Sequence, residues 1–385
     1  MQNVNGTVIQ KPFHLILPVG ISFYTFQALG YMIDVYREKA LAEKNFLRYA
    51  LFISFFPQLV AGPIERTGNM MRQLKEGTDF HVENVRQGLL SILWGILLKV
   101  VLSDNIAMAV TNVYNGFSAY NGIQIVFATM LFALQIYCDF SGYSYIAIGS
   151  AQVLGYQLMN NFDCPYLAGS VTEFWRKWHI SLTSWFTDYV YIPLGGNRKG
   201  IARTYVNTLI VFGLSGLWHG ASWNFIAWGL INGILIIYEK LTVKQKEYNA
   251  EFFERNGLSC VYHGMRRVRT FLWICFTWLF FRADSFKTAL SMIKKIVHPP
   301  FSGLSSASLI NFGITSKTAS VIVGGTLLLF LIDWLKYQNV DVKQWILNQN
   351  FLCRYLLYMT LIIILIIYGN YGGNHVQTEF IYFQF

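Results

Sequence analysis

The sequence predicts an all-α, polytopic integral membrane protein, and three observations carry that prediction. Hydrophobic residues make up 54% of the 385 positions and charged residues only 13%, against about 25% charged in an ordinary soluble domain. Apolar runs near the ~20 residues needed to cross a bilayer recur along the chain. These runs are continuous, whereas membrane β-strands alternate apolar and polar positions, and helices satisfy their own backbone in lipid. The chain reads as one transmembrane domain over 1–385, with no fixed-period repeat.

In chain order, Leu15 to Ile33 is the first span, with Asp34, Tyr36 and Arg37 at its interfacial end. Phe46 to Val60 is apolar but short, and Gly62-Pro63 would break a helix there, so a re-entrant or interfacial piece is expected. Met70 to Arg86 is polar enough for a surface helix, and Gly88 to Leu102 is a span bounded by Lys99, Ser103 and Asp104. Gly122 to Gly155 carries YCDFSGYS near its middle; it suits two helices broken around Gly142, or one span with an interfacial turn. Glu173 to Leu194 is rich in tryptophan and tyrosine, yet Glu173, Arg176, Lys177 and Asp188 forbid a simple crossing. An amphipathic or re-entrant helix buried within the protein fits it better. LGGNRKG reads as a tight turn with a basic tip. Val206 to Ile237 divides into two short spans around GLWHGASWN, and Lys240 to Arg269 is a hydrophilic connector. Phe271 to Phe281, Val321 to Leu335 and Phe351 to Tyr368 complete the apolar segments. Admitting broken helices, roughly eight to ten embedded segments are expected.

The net charge of +10 could suggest nucleic acid, but the basic residues cluster between apolar spans, as in loops at the cytoplasmic face of a membrane. No nucleic-acid partner is expected. The five cysteines show no CxxC spacing, so neither a zinc site nor a disulfide framework is indicated. Met1 to Gln10 is polar and does not resemble a signal peptide. Neither a GxSxG elbow nor a GxxxxGK[ST] loop occurs; the nearest text, GLSGLW, has the wrong spacing.

Two histidines, His179 and His219, lie within apolar, aromatic sequence, where an ionisable side chain is costly and marks a functional site by default. Gly216 and Gly220 bracket Trp218 and His219. Irregular backbone at membrane depth is tolerated only against protein or a water-filled cavity, so His219 is expected to face a cavity. Apolar surroundings disfavour the imidazolium and keep such a ring neutral and ready as a base. It could deprotonate a hydroxyl attacking an acyl carbonyl, an effect typically worth ~10²–10⁴-fold in rate. The other histidine could orient the first, bind the donor or stabilise an oxyanion; the spacing does not say which. The bland alternative is a structural hydrogen-bond donor, and for Asp139 it is pairing with a neighbouring Arg or capping a helix break. No metal is expected, because no third ligand is near and HxxxH is absent. His14, His81, His263, His298 and His375 fall near span ends or in connectors.

Several stretches together resemble the membrane-bound O-acyltransferase family, in its bacterial branch of alginate and peptidoglycan O-acetyltransferases. They are LPVGISFYTFQALGYMIDVYR, FFPQLVAGPIER, YCDFSGYSYIAIG, EFWRKWHISLTSWFTDYVYIPLGGNR, GLWHGASWNFIAWG and the terminal FIYFQF. The resemblance implies a helical fold with broken or re-entrant helices around a central tunnel, in the inner (plasma) membrane of a bacterium. His219, in WHG, falls on the family's catalytic histidine, and His179, in WRKWH, on the branch's second functional histidine. Trp178, Trp218, Trp223, Asn224 and Asp139 are expected along the substrate tunnel. The resemblance further implies acetyl-CoA, or another acyl thioester, as co-substrate, with no resident cofactor. It implies an extracellular or periplasmic polysaccharide acceptor and an esterase-like partner protein. Members of the branch usually carry further helices before LPVGISFYTF, where only Met1 to Phe13 stands here. The rival reading is a transporter or channel with proton-relaying histidines, against which stands the lack of an inverted repeat. A non-catalytic export scaffold is the third.

Overall fold

The computed structural model describes residues 20–60, 62–297 and 312–371. His14, His298, His375, the first residues of the expected Leu15–Ile33 span and the terminal FIYFQF lie outside them. Among the described residues there is no β-strand, only one isolated antiparallel bridge between Phe162 and Trp178. Among the described residues four helices are long and apolar enough to cross a membrane: Val82–Asn115, Gly122–Val153, Ser316–Tyr337 and Phe351–Tyr368. A fifth arises if Trp223–Leu241 and Val243–Arg255, bent by 62°, count together. The sequence-based total of eight to ten admits shorter pieces as well.

The N-terminal part is built from short helices. α1 (Ile21–Tyr36) follows Gly20 at φ 80°. α2 (Phe46–Ser54) and the single turn α3 (Phe56–Leu59) are separated at Phe55, with proline in the first turn of α3. The expected break before a full crossing thus falls slightly earlier than Gly62-Pro63. α4 (Thr67–Glu76) stops at Gly77, whose φ of 74° needs a residue without Cβ. Met70 to Arg86 is therefore two helices, since α5 (Val82–Ile96) already begins at Val82.

α5 runs through a π-helical turn at Leu97–Ser103 into α6 (Asp104–Asn115). The span does not end at Lys99, Ser103 and Asp104 as expected. The Lys99 ammonium is buried and lies 2.7 Å from carboxylates of both Asp104 and Asp139, so each charge has an opposite partner inside the protein and the helix continues. α7 (Gly122–Val153) is one 32-residue helix, opened by a capping box at Asn121 and Gln124. It does not break at Gly142. α5 and α7 run antiparallel with two glycine pairs in register. A Cβ on Gly88 would stand 2.6 Å from the Gly149 carbonyl oxygen, and one on Gly95 would stand 2.5 Å from that of Gly142. Close backbone approach through small residues is how membrane helices pack without a hydrophobic driving force between them.

α8 (Val171–Lys177) and α9 (Ile180–Phe186) are each seven residues, about 10 Å at 1.5 Å per residue, far short of a crossing. A π turn follows at Thr187–Tyr191, then the basic-tipped loop with Gly195, Gly196 and Gly200 at positive φ. α10 (Ile201–His219) and α11 (Trp223–Leu241) form an antiparallel pair. The hydrophilic connector expected from Lys240 to Arg269 is helical: α12 (Val243–Arg255) leads into α13 (Ser259–Arg282), which carries straight on into the apolar Phe271–Phe281 stretch. α14 (Phe286–Val297), α15 (Ser316–Tyr337), α16 (Val342–Leu347) and α17 (Phe351–Tyr368) complete the described chain. The core is aromatic, and Trp178, Trp228 and Trp278 are its largest fully buried side chains.

Two outcomes test this packing. Gly95→Ala puts a methyl group where the Gly142 carbonyl stands, and should lower stability by about 1–3 kcal/mol, read as a fall in the thermal midpoint in detergent. Glu43, in the α1–α2 loop, accepts from the Asn45 amide at 2.9 Å and pairs with Lys75 and Arg48, each at 3.1 Å. The amide first, then Lys75 and Arg48, hold its carboxyl down to about 2. Its contribution is therefore present above the ordinary glutamate value of about 4.3 and is lost as pH falls towards the folded value. Glu43→Gln should lower the midpoint near neutral pH and flatten its decline below about pH 4.

Candidate active site

The polypeptide turns sharply between α8 and α9. His179 occupies that turn at φ 45° and ψ 54°, a left-handed conformation uncommon outside glycine. The connector at 161–163 holds it there. The Ile180 amide donates to the Asn161 carbonyl at 3.0 Å, the Asp163 amide donates to the Lys177 carbonyl at 3.0 Å, and Phe162 bridges Trp178. The Asn161 side chain lies 3.0 Å from His179 Nδ1 and accepts from Ser181 Oγ at 2.9 Å. Its amide nitrogen donates to Ser144 Oγ on α7 at 3.2 Å. The ring of Phe140, also on α7, meets the imidazole edge-on at 4.6 Å. Backbone positions strained in this way persist only where the surroundings over-determine them, and they cluster at functional sites.

His219 is the last residue of α10. Two glycines let α10 and α11 approach until backbones touch: a Cβ on Gly216 would stand 2.3 Å from the Phe225 carbonyl oxygen, and one on Gly229 would stand 2.2 Å from that of Phe212. This contact brings His219 against Trp228, with ring centroids 5.0 Å apart at 89°, and against Phe281 on α13 at 5.1 Å. Trp218 packs on the His219 ring at 4.6 Å and lies 6.3 Å from that of His179, so one indole stands beside both imidazoles.

Both histidines are buried, and both line one cavity of about 320 Å³. Trp175 and Trp178 of the α8 end, Phe212 and Ser215 of α10, and Trp228 of α11 form its inner wall. Arg176, Thr187 and Lys240, all exposed, form its rim. The lining thus combines exposed cationic side chains with two buried imidazoles and a set of aromatic rings.

Of the side chains expected along a tunnel, Trp178 lines this cavity, while four others are placed differently. Trp218 packs against Phe26 at 5.3 Å, on the side of α1. Trp223 is 75% exposed and points outward. The Asn224 amide donates to the Ala283 carbonyl at 2.8 Å, tying the start of α11 to the end of α13. Asp139 belongs to the Lys99 ion cluster; its partner is thus a lysine and not the expected arginine. Sequence reasoning missed Asn161, Ser181 and Glu239. The Glu239 carboxylate, buried in α11, accepts from the amides of Val171 and Thr172 at 2.8 and 3.0 Å and from Thr172 Oγ1 at 2.8 Å. It caps α8 from outside and fixes Thr172 in the cavity wall. Only the acidic residue at the end of an otherwise apolar run could have flagged it. Among the described residues no group of His, Cys, Asp and Glu is arranged to hold a metal ion.

A family model described as the membrane-bound O-acyltransferase family matches residues 38–281. The chain belongs to that family. Membrane-bound O-acyltransferases are membrane-integral, as the apolar helices require. A probable alginate O-acetylase of Pseudomonas aeruginosa is 37% identical over 285 residues, covering 73% of this chain and 52% of that protein. A peptidoglycan O-acetyltransferase of Helicobacter pylori is 35% identical over 337 residues, covering 80% of this chain and 61% of that protein. A teichoic acid D-alanyltransferase of Bacillus subtilis is 26% identical over 299 residues, covering 71% of each. The chain spans about half the length of the alginate relatives it matches.

Removing the cap of α8 tests how the wall is held. Glu239→Ala leaves the Val171 and Thr172 donors without their acceptor and should cost about 1–3 kcal/mol, seen as a lower thermal midpoint in detergent. Glu239→Gln, which keeps an acceptor oxygen, should recover part of the loss.

Proposed function

We propose that this chain is an O-acyltransferase that moves an acetyl group from acetyl-CoA, or a similar thioester, to a hydroxyl of a polysaccharide across a bacterial inner membrane. One observation carries this reading: two buried imidazoles, from two different helix breaks, share a cavity that opens at a cationic rim. A thioester donor with phosphate groups suits such a rim, because clustered like charges raise the local concentration of the opposite charge. The reacting end then lies among aromatic side chains, away from bulk water.

In this reading His219, kept neutral by its apolar surroundings, takes the proton of the acceptor hydroxyl as that oxygen bonds to the carbonyl carbon. Collapse of the tetrahedral intermediate breaks the carbon–sulfur bond, and the imidazolium returns its proton to the leaving thiolate. Trp228 lines the same cavity, and its buried indole N–H has no acceptor among the described residues. An orphaned donor of this kind is costly to bury and is a candidate for binding the developing oxyanion. His179 stands beside the same path. The relatives' names refer to alginate, peptidoglycan and teichoic acid, which supports a polymer of the cell envelope as acceptor, reached directly or through an esterase-like partner protein.

The decisive measurement is acetylation of exported glycan in cells expressing the full chain or its His219→Ala variant. At equal protein level in the membrane the variant should lose about 10²–10⁴-fold of the activity. Undiminished acetylation would remove His219 from the chemistry.

A further inference from the structure

We propose that Asn161 is a positioning residue that sets the tautomer of His179, placing the ring proton on Nδ1 and leaving the lone pair on Nε2. One donor at Asn161 is unambiguous. The backbone amide of Ser181 points to Asn161 Oδ1 at 3.3 Å, and an amide N–H can only donate. The atom it meets must therefore be the carboxamide oxygen, which settles the orientation of the Asn161 side chain. Ser181 Oγ donates to the same oxygen at 2.9 Å, and the carboxamide nitrogen, on the other side, donates to Ser144 Oγ at 3.2 Å.

His179 Nδ1 lies 3.0 Å from that same oxygen. Two acceptors cannot share a hydrogen bond, so Nδ1 must carry the proton. In a neutral imidazole the other nitrogen is then the acceptor. The hydrogen bond made by one ring nitrogen decides what the other can do, and here the partner is a neutral amide. A carboxylate in its place would also favour the charged ring. The amide fixes orientation and tautomer without drawing a second proton onto His179, next to His219 in the same cavity.

The backbone strengthens the assignment. Asn161 holds the His179 turn twice, through its carbonyl, which receives the Ile180 amide at 3.0 Å, and through its side chain. Ser144 ties the arrangement to α7. His179 is thus fixed in backbone, ring plane and protonation by one residue outside α8 and α9. Its consequence for rate rests on the acyl-transfer reading above; the tautomer does not.

The test separates the two. The full chain, labelled with ¹⁵N-histidine and reconstituted in lipid bilayers, is read by solid-state NMR, which distinguishes a protonated from a bare ring nitrogen. The His179 resonances are assigned by their loss in His179→Gln. The expected wild-type spectrum has Nδ1 protonated and Nε2 bare. Asn161→Leu should shift the population to Nε2–H or to a mixture. Asn161→Asp, which retains the acceptor oxygen, should keep Nδ1–H. Acetylation measured in parallel should fall in Asn161→Leu by more than in Asn161→Asp. Wild-type protein with Nε2–H, or an Asn161→Leu protein that keeps Nδ1–H, would overturn the proposal whatever the activity shows. Should Asn161→Leu fail to fold, the wild-type spectrum and Asn161→Asp still decide, since loss of Nδ1–H in the latter refutes it as well.

Discussion

A peptide group surrounded by hydrocarbon finds no water, so every N–H and C=O released where a membrane helix breaks must be met by protein. Both histidines of the candidate site stand at such breaks, and each is possible only because another segment supplies the missing partners. At His179 the connector 161–163 forms what amounts to one rung of a sheet against the broken helix. At His219 the chain reverses through Gly220, and Ser222 hydrogen-bonds Asn224, whose amide in turn reaches Ala283. The helices supply scaffold; the chemistry lies where they stop.

The scaffold is held together for a related reason. α5 and α7 touch through two glycine pairs, and the ion cluster of Lys99, Asp104 and Asp139 lies in the same seam. A buried ion pair is not by itself a strong source of stability, because desolvation offsets most of the attraction, yet removing one partner is severe. Its role here reads as registry. It lets a helix pass through a lysine-and-aspartate stretch that would otherwise end it, and it ties that helix to α7. α7 then presents Phe140 to the His179 ring and Ser144 to Asn161. Packing and site geometry are thus joined on one helix.

Much of this is legible in the residues. Continuous apolar runs announce the membrane, glycines around Trp218 and His219 announce the second break, and the charges within Glu173–Leu194 exclude a plain crossing. What is not legible depends on partners far away in sequence. Lys99 and Asp104 look like the end of a span until Asp139 is seen opposite them. Gly142 looks like a hinge until it meets Gly95, after which it is a packing surface. Trp223 and Asn224 sit beside the WHG motif, but a helix sends its side chains in different directions, and one faces outward while the other bonds to α13. Asn161 has no local signature, since it belongs to a polar connector without periodicity. Only the fold makes it a neighbour of His179.

α17 has no buried side chain among the described residues and is apolar after its first turn, which carries Arg354. Its 18 residues extend about 27 Å at 1.5 Å per residue, somewhat less than the ~30 Å of a typical hydrocarbon core. A span of this length is met by a locally thinner bilayer, by flanking side chains that reach the interface, or by association with further helices.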